Sequence, residues 1–142
     1  MNNELNKFSF YRTPNGDVIL SVIIEDETVW LTQRSMSVLF DTTPQNITTH
    51  LKNIFESAEL DELTTCKEIL QVQKEGEREV SRNQKFYNLD AIISVGYRVN
   101  SAKATQFRIW ATKTLKEFII KGFVLDDNRL KQGESTFGKD YF

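Results

Sequence analysis

Residues 30–55, WLTQRSMSVLFDTTPQNITTHLKNIF, constrain the fold more than any other stretch, because they indicate two short helices separated by one tight turn. Thr32 can cap the first helix, since its hydroxyl can accept a hydrogen bond from an amide of the first turn. Thr43 and Pro44 mark the start of the second, because threonine caps and proline at the first helical position loses no hydrogen bond. Asp41 lies in the break and tolerates a left-handed φ. The pattern predicts a helix-turn-helix.

The second helix of this motif has one apolar and one polar side. Ile47, Leu51 and Ile54 recur at helical spacing and mark the buried side. The side chains that could contact base edges or phosphates lie away from it, and these are Gln45, Asn46, Thr49, Lys52 and Asn53. An ordinary surface helix also carries polar residues outward, and helix pairs of this length occur in proteins that do not bind DNA. The polar side is therefore a candidate DNA-reading face.

Length and composition restrict the class of protein. A chain of 142 residues can form one domain with its own core, and its single cysteine, Cys66, excludes an internal disulfide and is typical of a reducing compartment. Without a signal-peptide pattern or an apolar run of ~18 residues, we expect a soluble cytoplasmic protein with no membrane partner. The formal net charge is −2, from 18 Lys and Arg against 20 Asp and Glu. Any DNA binding must then depend on local charge.

The segment that precedes the helix pair is predicted to be a small sheet. Runs of β-branched and aromatic side chains indicate strands in residues 8–10, 18–24 and 28–30. The turn at residues 14–17 contains Asn-Gly, which readily supplies positive φ, and a second reversal falls at residues 25–27. Trp30 is expected to fill the core where the last strand meets the first helix.

Residues 65–88 indicate a long hairpin at the place where a winged helix carries its wing. Lys74 and Arg78 lie near its tip and are candidate phosphate contacts. The hairpin has five basic and four acidic residues, a net charge of +1, so an ordinary solvated hairpin is the alternative. The acidic residues 56–62 would repel phosphate, and we expect them to form a solvated connector that faces away from DNA.

Two helices are predicted to complete the domain. Asn88 begins a short one, which Gly96 should weaken near its end, and Asn100 begins a longer one, which Gly122 should end. The longer helix is basic, and Lys103, Lys113 and Lys116 form either an electrostatic footprint or the solvated side of a core helix. We therefore expect an α+β domain in residues 1–122 and a linker, or the start of a downstream region, in residues 123–142.

An apolar stripe on the longer helix is wider than one small sheet requires. It consists of Phe107, Trp110, Leu115, Phe118 and Ile119, continued by residues 123–125. A lone helix-turn-helix contacts one half-site, so the stripe suggests a homodimer. The alternative is that the whole stripe is intramolecular core.

Three segments resemble the virulence-associated RhuM family. They are WLTQRSMSVLF at residues 30–40, NITTHLKNIFESAELDE at 46–62 and YNLDAIISVGYRVNSAKATQFRIWATKTLKEFIIKGFVLDDNRLK at 87–131. The resemblance spans nearly the whole chain and is to the amino-terminal domain of longer proteins. It implies a DNA-binding or regulatory module, similar to phage antirepressor modules and linked to mobile or phage-derived genes. No catalytic residues are carried over with it.

Other chemistry has little support in the sequence. His50 is the only histidine, and we find no glycine-rich phosphate loop and no recognisable carboxylate pair. We expect no enzyme activity, no metal, no cofactor and no small-molecule substrate. The predicted fold is an α+β, winged-helix-like domain with an N-terminal β-sheet, a helix-turn-helix, a β-hairpin and C-terminal helices. The predicted function is DNA binding by a regulatory domain, and the alternative is a protein-interaction module on the same scaffold.

Overall fold

The computed structural model describes residues 8–13, 16 and 18–133, with the backbone alone for residue 73 and residues 121–133. The α+β class is confirmed. Along the chain the elements are β1 Phe8–Arg12, β2 Ile19–Glu25, β3 Thr28–Leu31, α1 Gln33–Leu39, α2 Pro44–Glu56, α3 Glu62–Thr65, β4 Cys66–Glu75, β5 Arg78–Asn88, α4 Leu89–Val99 and α5 Ser101–Gly133. The N-terminal strands, the helix pair, the hairpin and the C-terminal helices thus follow the predicted order.

The strands form one five-stranded antiparallel sheet of order β1-β2-β3-β5-β4. Asp26 and Glu27 form the reversal between β2 and β3 with φ of 54° and 62°, as a type I′ two-residue hairpin loop requires. In the predicted turn before β2, Gly16 has φ of 80°, and the rest of that turn lies outside the described residues. The predicted positions of the three N-terminal strands are confirmed.

Both helices of the N-terminal pair begin where the sequence predicts. The Thr32 hydroxyl accepts a hydrogen bond from the Ser35 amide at 3.1 Å, and the Thr43 hydroxyl accepts one from the Asn46 amide at 3.1 Å. Asp41, between them, has φ of 57°. Its left-handed backbone allows the chain to turn sharply from α1 into α2.

The core lies between the sheet and the helices. Its largest fully buried side chains come from β2, β3, the helix pair, α4 and α5, and they are Val22, Val29, Leu31, Met36, Leu39, Phe40, Ile47, Ile54, Ile92, Val95 and Phe107. Trp30 is buried as expected, and its indole N–H donates to the Glu25 carbonyl at 2.8 Å. Lys67 Nζ lies 4.5 Å from the centre of the indole ring, a cation–π contact.

The predicted hairpin is confirmed as β4 and β5, and its base is part of the sheet. β5 pairs with β3 at only two positions, Asn88 with Trp30 and Tyr87 with Leu31. The hairpin therefore extends beyond β3, and along this extension β4 and β5 pair only with each other among the described residues. The winged-helix geometry stays a prediction.

The expectation that Gly96 weakens the end of α4 stays a prediction. The helix continues to Val99, and Gly96 is buried at a close approach between elements. A Cβ at this position would lie 2.6 Å from Cζ of Phe40 and 2.7 Å from Cβ of Ala104. Glycine fits here because a side chain would force its neighbours to move.

The expectation that Gly122 ends the last helix was wrong, since α5 continues to Gly133. One glycine inside a helix costs roughly 1 kcal/mol relative to alanine, which is too little to end a helix of this length. Residues 134–142 lie outside the described residues. The division of the chain at residue 122 stays a prediction.

The apolar stripe of α5 is divided between core and surface. Phe107 is fully buried, Trp110 and Leu115 pack partly buried against the core, and Phe118 and Ile119 are 41% and 49% exposed. The first part of the stripe is therefore intramolecular core. The side chains of residues 123–125 lie outside the described residues.

We predict that Gly96→Ala lowers the free energy of unfolding by about 1–3 kcal/mol, because the added methyl group overpacks the contact with Phe40 and Ala104. Alanine is the better helix former by up to about 1 kcal/mol. If Gly96 had no close neighbours, the same substitution would therefore raise the free energy of unfolding. Urea denaturation measures the difference. Adding Ala104→Gly should recover part of the loss, and a stabilised Gly96→Ala variant would contradict the packing argument.

Candidate nucleic-acid interface

Helix α2 presents the polar face that the sequence predicts. Its apolar residues Ile47, Leu51 and Ile54 are buried. Four of the five predicted contact residues of the helix are exposed, and these are Gln45, Thr49, Lys52 and Asn53. Asn46 is half-buried at the border of the face. The structure therefore brings these side chains together on one side of one rigid helix.

Asn46 is held in place by its neighbours. Its side-chain nitrogen donates to the Thr42 hydroxyl at 2.8 Å, and its backbone amide donates to the cap residue Thr43. The amide group has two N–H donors and one carbonyl oxygen. One donor is used by Thr42, and the other donor and the oxygen are the pair that a bidentate contact to adenine needs.

A hydrogen-bonded chain that the sequence analysis missed connects α2 to α1 and the sheet. The Thr48 hydroxyl donates to Gln33 Oε1 at 2.8 Å, and Gln33 Nε2 donates to the Tyr87 hydroxyl at 3.0 Å. Burial raises the pKa of Tyr87, and the hydrogen bond from Gln33 partly offsets this rise. Residues 33, 48 and 87 are far apart in sequence and carry no shared motif, so no local signal could have identified the chain.

The charge around α2 is weakly positive up to its last turn. From Gln33 to Phe55 the sequence has two basic residues, Arg34 and Lys52, and one acidic residue, Asp41. Glu56 then lies exposed in the last turn of α2. Because the negative charge comes at the C-terminal end, the first turns are the part of the helix best suited to approach a phosphate backbone.

The acidic residues after α2 are more than the solvated connector that we expected. Arg98 of α4 donates to Glu59 at 2.5 Å, and Lys85 of β5 donates to Glu62 at 3.1 Å. Exposed pairs of this kind contribute only about 0–1 kcal/mol each. They also neutralise two carboxylates in the segment that follows α2.

Lys74 and Arg78 are exposed at the tip of the β4–β5 hairpin. In the strand register Lys74 lies opposite Glu79, and Arg78 lies opposite Glu75. Glu75 also accepts a hydrogen bond from Arg82 at 2.7 Å. The tip therefore alternates basic and acidic side chains, and a phosphate contact by Lys74 and Arg78 stays a prediction.

A groove of about 490 Å³ lies between the N-terminal strands and the hairpin, with Phe8, Ile23, Ile69 and Phe86 in its apolar lining. Glu25 is its one titratable lining residue, and this carboxylate pairs with Lys67. Across the described ranges, His, Cys, Asp and Glu side chains form no group of three that could hold a metal ion. In the same ranges, no helix has the length and apolar character needed to cross a bilayer.

Comparison with known protein families identifies the family of this chain. The model of the Virulence protein RhuM family matches residues 64–142, which is more than half of the sequence. The chain belongs to the RhuM family. Comparisons with curated proteins and with solved structures both find no match. The family match covers β4, β5, α4 and α5 and begins after α2, so RhuM membership by itself does not describe the polar face.

In this RhuM-family protein we predict that Gln33→Ala raises the pKa of Tyr87 further, because the hydrogen bond that favours the phenolate is lost. The folded-state pKa lies above the unfolded value of about 10, so the free energy of unfolding is level below that pH and falls as pH rises through the folded pKa. The fall should be larger in the variant. Urea denaturation below and above pH ~10 measures it.

Arg34→Ala is the matched control, since Arg34 is exposed and adjacent in sequence. It should leave the alkaline profile unchanged. An identical profile in both variants would show that Gln33 does not contribute to the environment of the Tyr87 hydroxyl.

Proposed function

We propose that this RhuM-family protein is a DNA-binding regulatory domain that places α2 in the major groove. The observation that carries the proposal is the exposed face of Gln45, Thr49, Lys52 and Asn53, presented by a rigid helix directly after a tight turn from α1. An α-helix fits the major groove, which is about 12 Å wide. The first turns of α2 carry no carboxylate, so base edges and phosphates can approach them.

Each side chain of the face has a role that its chemistry allows. Gln45 and Asn46, at the start of α2, can form paired hydrogen bonds with adenine, and Thr49 can contact either a base edge or the methyl group of thymine. Lys52 and Asn53 lie further along and can hold phosphates, which sets the register of the helix in the groove. The hydrogen bond from Asn46 to Thr42 orients its amide before binding.

A protein-interaction module is the second candidate function. The observation that favours it is the balance of charge at the hairpin tip, where each predicted phosphate contact lies opposite a carboxylate. The two functions differ in salt dependence. DNA affinity falls linearly on a log–log plot against salt concentration, whereas a protein-docking surface with an apolar centre depends on salt only weakly.

We predict that alanine at Gln45, Asn46 and Thr49 together abolishes the preference for a DNA sequence, and that Asn46→Ala alone costs about 1–3 kcal/mol at the preferred site. Selection from a random duplex pool identifies that site, and fluorescence anisotropy measures affinity at two salt concentrations. Gln106→Ala, on the exposed surface of α5, is the control and should bind as the wild type does. Unchanged affinity and preference in the triple variant would refute the proposed reading face.

The same assay tests the hairpin. If Lys74 and Arg78 hold phosphates, their replacement by alanine weakens binding to all sequences equally and reduces the salt slope by roughly 0.9 per lost contact. Alanine at Arg12 and Arg108, two exposed residues outside the candidate DNA contacts, removes the same charge and serves as the matched control. Equal slope changes in both variants would indicate general electrostatic attraction and no local contact at the hairpin.

A further inference from the structure

Strand β4 is a long edge of the sheet, and no second described strand pairs along its outer side. It has ten residues, and among the described elements it pairs with β5 alone. Leu70 and Val72 in its middle are 60% and 62% exposed. A long edge strand with exposed apolar side chains is a template for pairing with another strand, which proteins usually prevent with proline, bulges or short strands.

The backbone groups available for such pairing follow from the hairpin register. The two-residue loop of Gly76 and Glu77 is closed by the hydrogen-bonded pair of Glu75 and Arg78. Hydrogen-bonded and non-hydrogen-bonded pairs then alternate along the strand, so every second residue of β4 directs its amide and carbonyl away from β5. The residues with outward backbone groups are Glu68, Leu70, Val72 and Lys74.

We infer that β4 pairs in antiparallel orientation with β4 of a second copy of this chain, centred on Gln71. In that register Glu68 lies opposite the second copy's Lys74, and Leu70 lies opposite the second copy's Val72. Both pairs occur twice by symmetry, and both join residues whose backbone groups point outward. The strand sequence CKEILQVQKE is therefore complementary to itself in charge and in apolar character.

Other registers lose this complementarity. A shift by two residues in one direction places Glu68 opposite Val72 and Lys74 opposite Cys66, and a shift in the other direction places Lys74 opposite Leu70. A shift by one residue places the outward N–H and C=O groups of one β4 opposite residues of the second β4 whose N–H and C=O groups are already hydrogen-bonded to β5. The register centred on Gln71 is the one that joins both charges to opposite charges.

The available side chains agree with this arrangement. Glu68 and Lys74 are exposed, and neither is in an ion pair with a described residue. The pairing would add strands to the part of the hairpin that extends beyond β3, where β4 and β5 pair only with each other among the described residues. This would stabilise the hairpin, because a lone two-stranded hairpin is marginally stable in water. It does not depend on DNA binding. In the dimer, Lys74 forms an ion pair with Glu68 of the second copy. Dimerisation therefore competes with the predicted phosphate contact of Lys74.

Sedimentation equilibrium of the full chain at tens of micromolar, without DNA, tests the inference. The wild type should sediment as a dimer of two 16.5 kDa chains. Glu68→Lys and Lys74→Glu each place like charges opposite one another twice, so each should weaken dimerisation by roughly tenfold or more. The double variant with both changes restores opposite charges and should dimerise as the wild type does.

A mixture of the two single variants gives the sharpest result. In a mixed pair, the lysine introduced at position 68 of one chain faces the glutamate introduced at position 74 of the other. The two unchanged residues at these positions also face each other with opposite charges. Two variants that are monomeric alone should therefore form a one-to-one heterodimer. Failure of both the mixture and the double variant to dimerise overturns the inference.

A backbone variant and a charge control complete the test. Val72→Pro removes an N–H that points away from β5, so it should preserve the hairpin and abolish the dimer. Circular dichroism checks that the fold is retained. Glu77→Lys in the loop reverses a charge away from the pairing and should leave the dimer intact. A monomeric wild type, or a dimer that survives Val72→Pro, overturns the inference.

Discussion

The packing of Phe40 against Gly96 and Ala104 connects the two halves of this structure. Phe40 caps the C-terminus of α1, and its ring lies so close to the α4 backbone that a Cβ at position 96 would clash with it. This contact sets how the helix pair sits on α4 and α5. The helix that carries the polar face, α2, begins four residues after Phe40.

The region that matches the RhuM family is packed against the rest of the domain. It covers residues 64–142, whereas the N-terminal strands and the helix pair precede it. Several contacts join the matched and unmatched parts, among them the pairing of β3 with β5, the packing of Phe40 on α4 and the hydrogen bond from Gln33 to Tyr87. The helix pair is thus part of the same hydrophobic core as the family region. Because close-packed cores transmit strain, a change in the packing of α4 would also affect the candidate interface.

In the β4–β5 hairpin, the position of each charged residue in the strand pair determines which groups it can bind. Its net charge is slightly positive, which suggests a phosphate-binding wing when composition alone is considered. In the folded strand pair, Lys74 and Arg78 lie opposite carboxylates, while Glu68 and Lys74 flank an exposed apolar centre on the outer edge. The same side chains can therefore serve a phosphate backbone or a second copy of the strand, and only one of these uses is open to Lys74 at a time.

The sequence by itself determined the local structure of this protein. The caps at Thr32 and Thr43, the left-handed Asp41 and the buried side of α2 depend on interactions within a few residues, so they could be predicted. Tertiary structure alone decided that Gly96 is a packing contact and that Gln33 joins Thr48 to Tyr87. The continuation of the sheet from β3 to β5 and the pairing of Arg98 with Glu59 belong to the same group. The physical reason is that these contacts join residues far apart in the chain, whose distances are set by the packing of whole elements and leave no periodic or local signal in the sequence.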